Sequence, residues 1–271
     1  MNETYFKIDH ENMYVRHSKI IPDQMTLLFI HGLGDSGLTF EPVLFDRRFA
    51  EFNIVIPDLV GYGRSSSSHK PGAYTFDAHL KRLWNLVKTK GLYQLIVIGH
   101  SMGGDIATLL CESDAMSLIK KFVNIEGTLT QHDLFLSSRA AIAHQQGRFD
   151  QWFRQELMKE IFEEYGKDQS GRDYYANIRY SRPQAYRENA QELVERNTAL
   201  PGDYQSEIGK IYCNLTVPKV FCYGTENIST ETLTYIKKND LRTQAFPQTG
   251  HCPMTDAADE FYTFLHDFIM E

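Results

Sequence analysis

The amino-acid sequence predicts an α/β protein with a mostly parallel sheet that helices cover on both faces. Three observations predict this fold class. Short apolar runs rich in β-branched residues alternate with helix-like stretches through the first half of the chain, and strand patterns return near its end. Between these two parts, residues 129–212 contain no convincing strand pattern, which predicts a helical insertion after the sixth strand.

The predicted strands are short and apolar. The first two form a hairpin around His10-Glu11-Asn12, and the later ones each end in polar or glycine residues, as buried parallel strands do. In chain order the predicted segments are Phe6–Asp9, Met13–Val15, Thr26–Ile30, Ile54–Ile56, Leu95–Ile98, Phe122–Ile125, Val220–Tyr223 and Gln244–Phe246.

Helix-like stretches separate these strands. Their spacing of apolar residues is close to 3.6, and they are long enough to cross over between parallel neighbours in one sheet. The predicted helices of this kind are Thr39–Phe52, Thr75–Lys90, Met102–Glu112 and, at the end of the chain, Ala257–Met270.

The insertion divides the chain into two predicted domains. Residues 1–128 and 213–271 form the core domain, and residues 129–212 form a helical lid, called the cap below. In the cap, Phe149, Trp152 and Phe153 follow helical spacing. We interpret this aromatic stripe as the interior of the cap and not as a cofactor site.

Composition narrows the classes of partner. The 271 residues carry a formal net charge of -7, which disfavours nucleic acid as a partner. The N-terminal residues lack the pattern of a secretory signal, and the apolar runs are too short to span a bilayer. Four scattered cysteines are typical of reduced thiols. We therefore expect a cytoplasmic monomer or dimer with a small-molecule substrate, and neither a nucleic-acid nor a membrane partner.

No motif indicates a cofactor or a metal. The sequence shows no cluster with metal-ligand spacing and no phosphate-binding loop. Gly32-Leu33-Gly34 lacks the third glycine of a dinucleotide-binding fingerprint. We expect the chemistry to depend on side chains and backbone amides alone.

The segment Gly99-His100-Ser101-Met102-Gly103 fits the pattern Gly-x-Ser-x-Gly. A predicted strand leads into it and a predicted helix leaves it, which is the context that this motif requires. The serine then lies on a sharp turn, so its neighbours two residues away must lack bulk. The helix amides that follow would face a developing negative charge. Ser101 is therefore the candidate nucleophile.

The chain resembles the α/β-hydrolase superfamily over nearly its whole length. The order of elements is similar, and so are three further motifs: His31-Gly32-Leu33-Gly34 after the third strand, Asp58–Ser65 after the fourth, and Gly250-His251 after the last. The resemblance implies an eight-stranded sheet flanked by helices, with a cap after the sixth strand. A serine nucleophile sets the chain apart from the dehalogenases and epoxide hydrolases of this superfamily, which use aspartate.

The resemblance also implies roles. Ser101 would attack an acyl carbonyl, and His251 would act as the general base, because an alcohol next to a base becomes a nucleophile at neutral pH. The family's order of serine, acid and histidine is kept. The backbone amides of Leu33 and Met102 would form the oxyanion hole.

The acid is where the sequence departs from the family. Its usual position, three residues beyond a glycine after the seventh strand, holds Asn227. An amide cannot stabilise an imidazolium as a carboxylate does. Glu126 ends the sixth strand, where a buried carboxylate is costly unless it is paired. We therefore predict Glu126 as the acid, with Glu226 as the alternative.

These residues predict a serine hydrolase that cleaves a small, ester-like acyl substrate through an acyl-enzyme on Ser101. Two alternatives remain open. The acyl group could pass to an acceptor other than water, which would make the protein an acyltransferase. The same fold could also serve as a ligand receptor or signalling protein with little turnover, because a fold does not determine a function.

Overall fold

The computed structural model describes residues 1–8, 10–114, 117–198 and 206–271, without the side chains of residues 164 and 165. Within these ranges eight strands form one sheet in the order β1-β2-β4-β3-β5-β6-β7-β8. The pairs β1–β2 and β2–β4 are antiparallel, and the other neighbours are parallel. The strands are β1 Asn2–Ile8, β2 Glu11–His17, β3 Met25–Ile30, β4 Asn53–Pro57, β5 Tyr93–His100, β6 Ile119–Ile125, β7 Lys219–Gly224 and β8 Thr243–Phe246.

This sheet confirms the predicted fold class. The N-terminal hairpin is longer than predicted, and Asp9, the last residue of its first predicted strand, lies outside the described residues. The α-helices in the described ranges are α1 Phe76–Lys90, α2 Met102–Glu112, α3 Leu136–Gln145, α4 Phe149–Gln151, α5 Met158–Glu160, α6 Gln169–Ile178, α7 Pro183–Asn197, α8 Glu207–Asn214, α9 Thr230–Lys238, α10 Pro253–Asp256 and α11 Ala258–Met270.

The predicted α-helix Thr39–Phe52 is wrong. Two 3₁₀ helices, Gly37–Phe45 and Arg47–Phe49, occupy this region instead. Pro42 removes one backbone donor from the first of them. Asp46 between them is extended, with φ -83° and ψ 119°, and its side chain accepts a hydrogen bond from the Arg48 amide. The aspartate therefore ends one helix and begins the next.

The cap is helical, with α3 to α7 following β6. Two π-helical turns, Trp152–Leu157 and Ile161–Tyr165, flank α5. The predicted end of the cap at residue 212 falls inside α8. There Tyr212 packs on two core strands, with its ring centroid 5.7 Å from that of Phe122 on β6. The division into two domains stays a prediction, and α8 packs with the core.

Alternate residues of the central strands face opposite sides of the sheet, as the period of a strand requires. In β3, Leu28 and Ile30 join an apolar layer shared with α1, α2, α8 and the cap, whereas Leu27 and Phe29 join a layer shared with α11. The cap therefore packs into one of the two core layers. Among the described residues, the helices are each too short or too polar to cross a bilayer.

Candidate active site

The candidate residues follow strands that end at one edge of the sheet. The register of the parallel strands aligns their carboxyl ends, which is where open α/β sheets place their sites. The paired residues at this edge are Ile30 with Gly99, His100 with Ile125, and Ile125 with Cys222. The segments that begin at His31, Ser101 and Glu126 therefore start side by side.

Ser101 occupies a strained turn between β5 and α2. Its φ of 53° and ψ of -124° are rare for a residue with a side chain. A Cβ atom on Gly99 would lie 2.3 Å from the Gly103 carbonyl oxygen, and one on Gly103 would lie 2.2 Å from that of Ile30. The Ser101 amide donates to the Ile125 carbonyl at 2.8 Å. The two glycines are therefore required by space, as the motif predicts.

His251 contacts Glu126 and not Glu226. The distance from His251 Nδ1 to Glu126 Oε2 is 2.8 Å. Because Nδ1 faces a carboxylate, we assign its proton there, which leaves Nε2 as the acceptor. Glu226 is exposed, and among the described residues its side chain makes no hydrogen bond; only its amide donates, to the Thr249 carbonyl at 3.1 Å.

Glu126 is buried, with 9% of the residue exposed. Its carboxylate accepts from three donors among the described residues. The Gly224 amide donates to Oε1 at 2.7 Å. The Asn227 amide nitrogen donates to Oε2, the oxygen that also faces His251, and lies 3.1 Å from His251 Nδ1. Two donors thus converge on one carboxylate oxygen.

The sequence reasoning missed the contact that Asn227 makes. The sequence placed it at the usual position of the acid and treated it as a departure from the family. In the structure it holds the carboxylate that takes over that position. The signal was available in part: the spacing from Gly224 located the side chain, but its partner on β6 could not be read from the spacing.

His100 links the nucleophile strand to the histidine loop. Its Nε2 lies 2.9 Å from the His251 carbonyl oxygen, and the two imidazole centroids are 4.8 Å apart. Burial, and after it the neighbouring His251, holds the pKa of His100 well below its ordinary value. A neutral His100 therefore donates from Nε2 and fixes the His251 backbone. Within the described residues, the Ser101 hydroxyl makes no hydrogen bond to His251 or to another protein group.

The two predicted oxyanion amides belong to segments next to the nucleophile. Met102 is the first residue of α2, and Leu33 lies in the turn after β3. A Cβ atom on Gly32 would be 3.2 Å from Ser101 Cβ, so this turn passes directly beside the serine. Among the described residues, neither the Leu33 nor the Met102 amide donates to a protein acceptor. Both N–H groups are therefore available to a ligand.

Phe135, just before α3, lies against the catalytic histidine candidate. Its ring centroid is 6.4 Å from that of His251 in an edge-on arrangement, yet 47% of the residue is exposed. A cavity of about 10 Å³ lies beside it, close to the volume that one water needs. The residues that line this cavity are Glu126, Gly127, Asp133, Phe135, Phe221, Tyr223, Asn227 and Ile228.

The arrangement can support nucleophilic catalysis. It has a hydroxyl on a strained turn, an imidazole oriented by a buried carboxylate, and two backbone amides without an acceptor among the described residues. Within the described part of the chain, no three His, Cys, Asp or Glu side chains gather into a group that could hold a metal ion.

Comparison with known proteins agrees with this fold. A family model described as alpha/beta hydrolase fold matches residues 26–257. Lipase 1 of Psychrobacter immobilis is 26% identical over 254 residues, which cover 86% of this chain and 73% of the lipase. An uncharacterized protein of Mycobacterium tuberculosis is 32% identical over 95 residues, or 35% of this chain; that match spans about a quarter (27%) of the relative's length.

Solved structures share the fold over the full chain. An N-acyl homoserine lactonase in complex with N-butanoyl homoserine superposes with a TM-score of 0.76, covering 99% of this chain and 96% of the lactonase. The sequence identity is 19%, so the similarity shows a common fold.

Proposed function

This chain belongs to the α/β-hydrolase fold family, and we propose that it is a serine hydrolase that cleaves a small ester-like acyl substrate through an acyl-enzyme on Ser101. One observation carries the proposal: His251 Nδ1 lies 2.8 Å from the buried carboxylate of Glu126. An imidazole oriented in this way, at the same sheet edge as a serine turn, supports a serine–histidine–acid triad. In this triad the acid comes from β6.

The first half of the reaction uses the serine and the histidine. Ser101 Oγ attacks the acyl carbonyl carbon while His251 Nε2 takes the hydroxyl proton. The carbonyl oxygen becomes negative and accepts from the Leu33 and Met102 amides, which donate to no protein acceptor among the described residues. Glu126 stabilises the imidazolium. The imidazolium then gives its proton to the leaving alcohol, and the acyl-enzyme remains.

The second half repeats these steps with water. His251 takes a proton from a water molecule that attacks the acyl carbonyl, and the Leu33 and Met102 amides again stabilise the oxyanion. Collapse of the intermediate breaks the bond to Ser101 Oγ, which recovers its proton from His251. The products are a carboxylic acid and the free enzyme.

The substrate class is proposed from the surroundings of the site. Phe135 offers a half-exposed apolar ring next to His251, which favours an apolar group near the reacting bond. The cap packs into the core layer beside the site. A lipase and a lactonase are among the similar proteins. These features support a short acyl ester or a lactone.

Labelling with a fluorophosphonate probe tests the proposal. We expect the wild type to be labelled and Ser101→Ala not to be labelled, because the probe needs an activated serine. A series of p-nitrophenyl esters should be cleaved with a preference for short acyl chains. Absence of labelling in the folded wild type would refute a serine nucleophile.

The same experiment addresses the two alternatives. An acyl-enzyme released faster by an added alcohol than by water would favour an acyltransferase. Labelling at Ser101 without turnover of any ester would favour a ligand receptor. The cytoplasmic location, the monomer or dimer state and the lack of nucleic-acid or membrane partners stay predictions from the sequence.

A further inference from the structure

Two residues of the cap, one on α6 and one just after it, bond to the backbone of the loop next to the nucleophile. The Tyr174 hydroxyl on α6 donates to the Leu33 carbonyl at 3.0 Å. The Ser181 hydroxyl, between α6 and α7, donates to the Gly34 carbonyl at 3.0 Å. Two consecutive carbonyls of residues 33–36, called the 33–36 loop below, are thus fixed from the cap.

A side-chain network joins the same two segments. The Asn177 amide nitrogen on α6 donates to Asp35 Oδ1 at 2.7 Å, and the Ser36 hydroxyl donates to Asn177 Oδ1 at 3.2 Å. All three residues are buried. Burial raises the pKa of the Asp35 carboxyl above its ordinary value, although neighbouring donors such as the Thr39 hydroxyl act against this. Removing the cap from these groups would leave buried polar atoms unpaired, which is costly.

Gly34 shows how closely the cap approaches. Its φ is +78°, which only glycine adopts readily. A Cβ atom there would lie 2.6 Å from the Tyr174 hydroxyl oxygen and 2.9 Å from a ring carbon of Tyr186. The loop and the cap meet with no room for a side chain, so the position of one determines the position of the other.

We propose that Tyr174 and Asn177 are positioning residues for the reaction, because they hold the 33–36 loop so that the Leu33 amide faces the developing oxyanion. This inference rests on the proposed function. A donor stabilises the transition state only when it is already aimed at the oxyanion, so a small displacement of the loop reduces the rate more than it reduces substrate binding. The cap thereby contributes to catalysis without supplying a reacting group.

Tyr174→Phe tests the inference, with Tyr180→Phe as the matched control. Tyr180 is also in the cap, but it is 69% exposed and lies outside the network. For Tyr174→Phe we expect kcat for p-nitrophenyl acetate to fall about 10-fold while KM stays within about 2-fold. Affinity for an alkyl boronic acid, whose serine adduct is tetrahedral, should fall by a similar factor. Tyr180→Phe should match the wild type in all three measurements.

A second variant keeps the inference testable if Tyr174→Phe folds poorly. Asn177→Asp keeps the shape of the side chain but places a carboxylate against Asp35 where a donor stood. We expect kcat, relative to the wild type at each pH, to be lowest at high pH and to recover as pH falls and one of the two carboxyls takes a proton. His31 interacts electrostatically with Asp35, and the second carboxylate of the variant also favours its protonated form, so the recovery at low pH reports these three groups together.

The outcomes separate the two proposals. If the wild type labels at Ser101 but both variants keep kcat within 2-fold, the positioning role is wrong and the proposed function stands. A parallel rise in KM and fall in melting temperature, with kcat unchanged, would assign the network to stability and also overturn the inference. A folded wild type that does not label at Ser101 would overturn the proposed function and this inference with it.

Discussion

Two neighbouring turns carry Ser101 and Glu126 of the candidate triad, and their backbones are similar. Ser101 and Glu126 each follow a parallel strand, with φ values of 53° and 51°. The Ser101 amide donates to the Ile125 carbonyl at 2.8 Å, and the Glu126 amide donates to the Cys222 carbonyl at 3.0 Å. In each turn, the residue whose amide bonds to the next strand is also the residue in the strained conformation.

The two turns differ in what surrounds the side chain. The Ser101 hydroxyl has no hydrogen-bond partner among the described residues, whereas the Glu126 carboxylate accepts from Gly224, Asn227 and His251. The serine turn is determined by local sterics, and its side chain is left for a substrate. The glutamate turn is determined by partners distant in sequence that donate hydrogen bonds to a buried carboxylate.

The largest expected effect comes from removing the charge of the Glu126 side chain in the second turn. Glu126→Gln should lower kcat by about 10³-fold, because an amide cannot stabilise the imidazolium. Either orientation of the new amide also points an NH₂ group at an existing donor, the Gly224 amide at one end or Asn227 and His251 at the other. The measurement is kcat and KM with a p-nitrophenyl ester.

Glu226→Gln is the matched control for that prediction. Glu226 is exposed and bonds to the described residues only through its backbone, so the variant should stay within about 2-fold of the wild type. The reverse result, with Glu226→Gln inactive and Glu126→Gln active, would assign the acid to Glu226 and refute the role of Glu126.

A buried carboxylate joins the two turns. Asp105, in the first turn of α2, accepts from the Thr128 amide at 2.7 Å and from the Asn197 side chain of the cap at 2.9 Å. Burial raises its pKa to about 7, although the hydrogen bonds from Thr128 and Asn197 lower it and Asp133 adds a repulsive charge. The folded protein therefore holds a proton between about pH 4 and pH 7 that the unfolded chain has lost.

This difference gives a pH-dependent stability with a definite sign. The folded state binds more protons in that window, so the contribution of Asp105 to the free energy of unfolding falls as pH rises from about 4 to about 7. The slope is at most about 1.4 kcal/mol per pH unit. Urea unfolding of the wild type and Asp105→Asn should show the wild type losing stability relative to the variant across this range. Parallel curves would mean that Asp105 is already ionised when folded.

The sequence predicted the serine turn from residues within the turn itself. It also predicted Glu126 as the acid, from a carboxylate at the end of an apolar strand, but not that the Gly224 amide and Asn227 hold this carboxylate. Gly99 and Gly103 mark the serine turn because backbone atoms leave no room for side chains, and this constraint lies within five residues. The position of Glu126 depends on strand pairing with β7 and on a loop that follows β8. The spacing of apolar residues predicts the strands, but it does not predict which side chains from distant strands come into contact.

The segment of residues 39–52 was also predicted incorrectly from the spacing of its apolar residues alone. Residues 39–52 have helical spacing of apolar residues, and the structure nevertheless forms two 3₁₀ helices because Pro42 and Asp46 interrupt the hydrogen-bond pattern. The alternation of strands and helices predicted the sheet correctly, since each strand buries its own apolar residues. Local signals therefore predicted the scaffold and the geometry of the serine turn, whereas the contacts of Glu126 come from residues distant in sequence.

The smallest expected effect separates Asn227 from the acid that it contacts. Asn227→Ala removes one of the three donors to Glu126 and leaves Gly224 and His251 in place. We expect kcat to fall about 10-fold with KM nearly unchanged, because the loss of one hydrogen bond to a charged group is worth roughly 1.5 kcal/mol or more. Glu126→Gln combined with Asn227→Ala should be hardly worse than Glu126→Gln alone, since both changes act on one carboxylate. If the two losses instead multiply, Asn227 acts on the reaction by more than its hydrogen bond to Glu126, because its amide nitrogen and the protonated His251 Nδ1 are both donors and do not bond to each other.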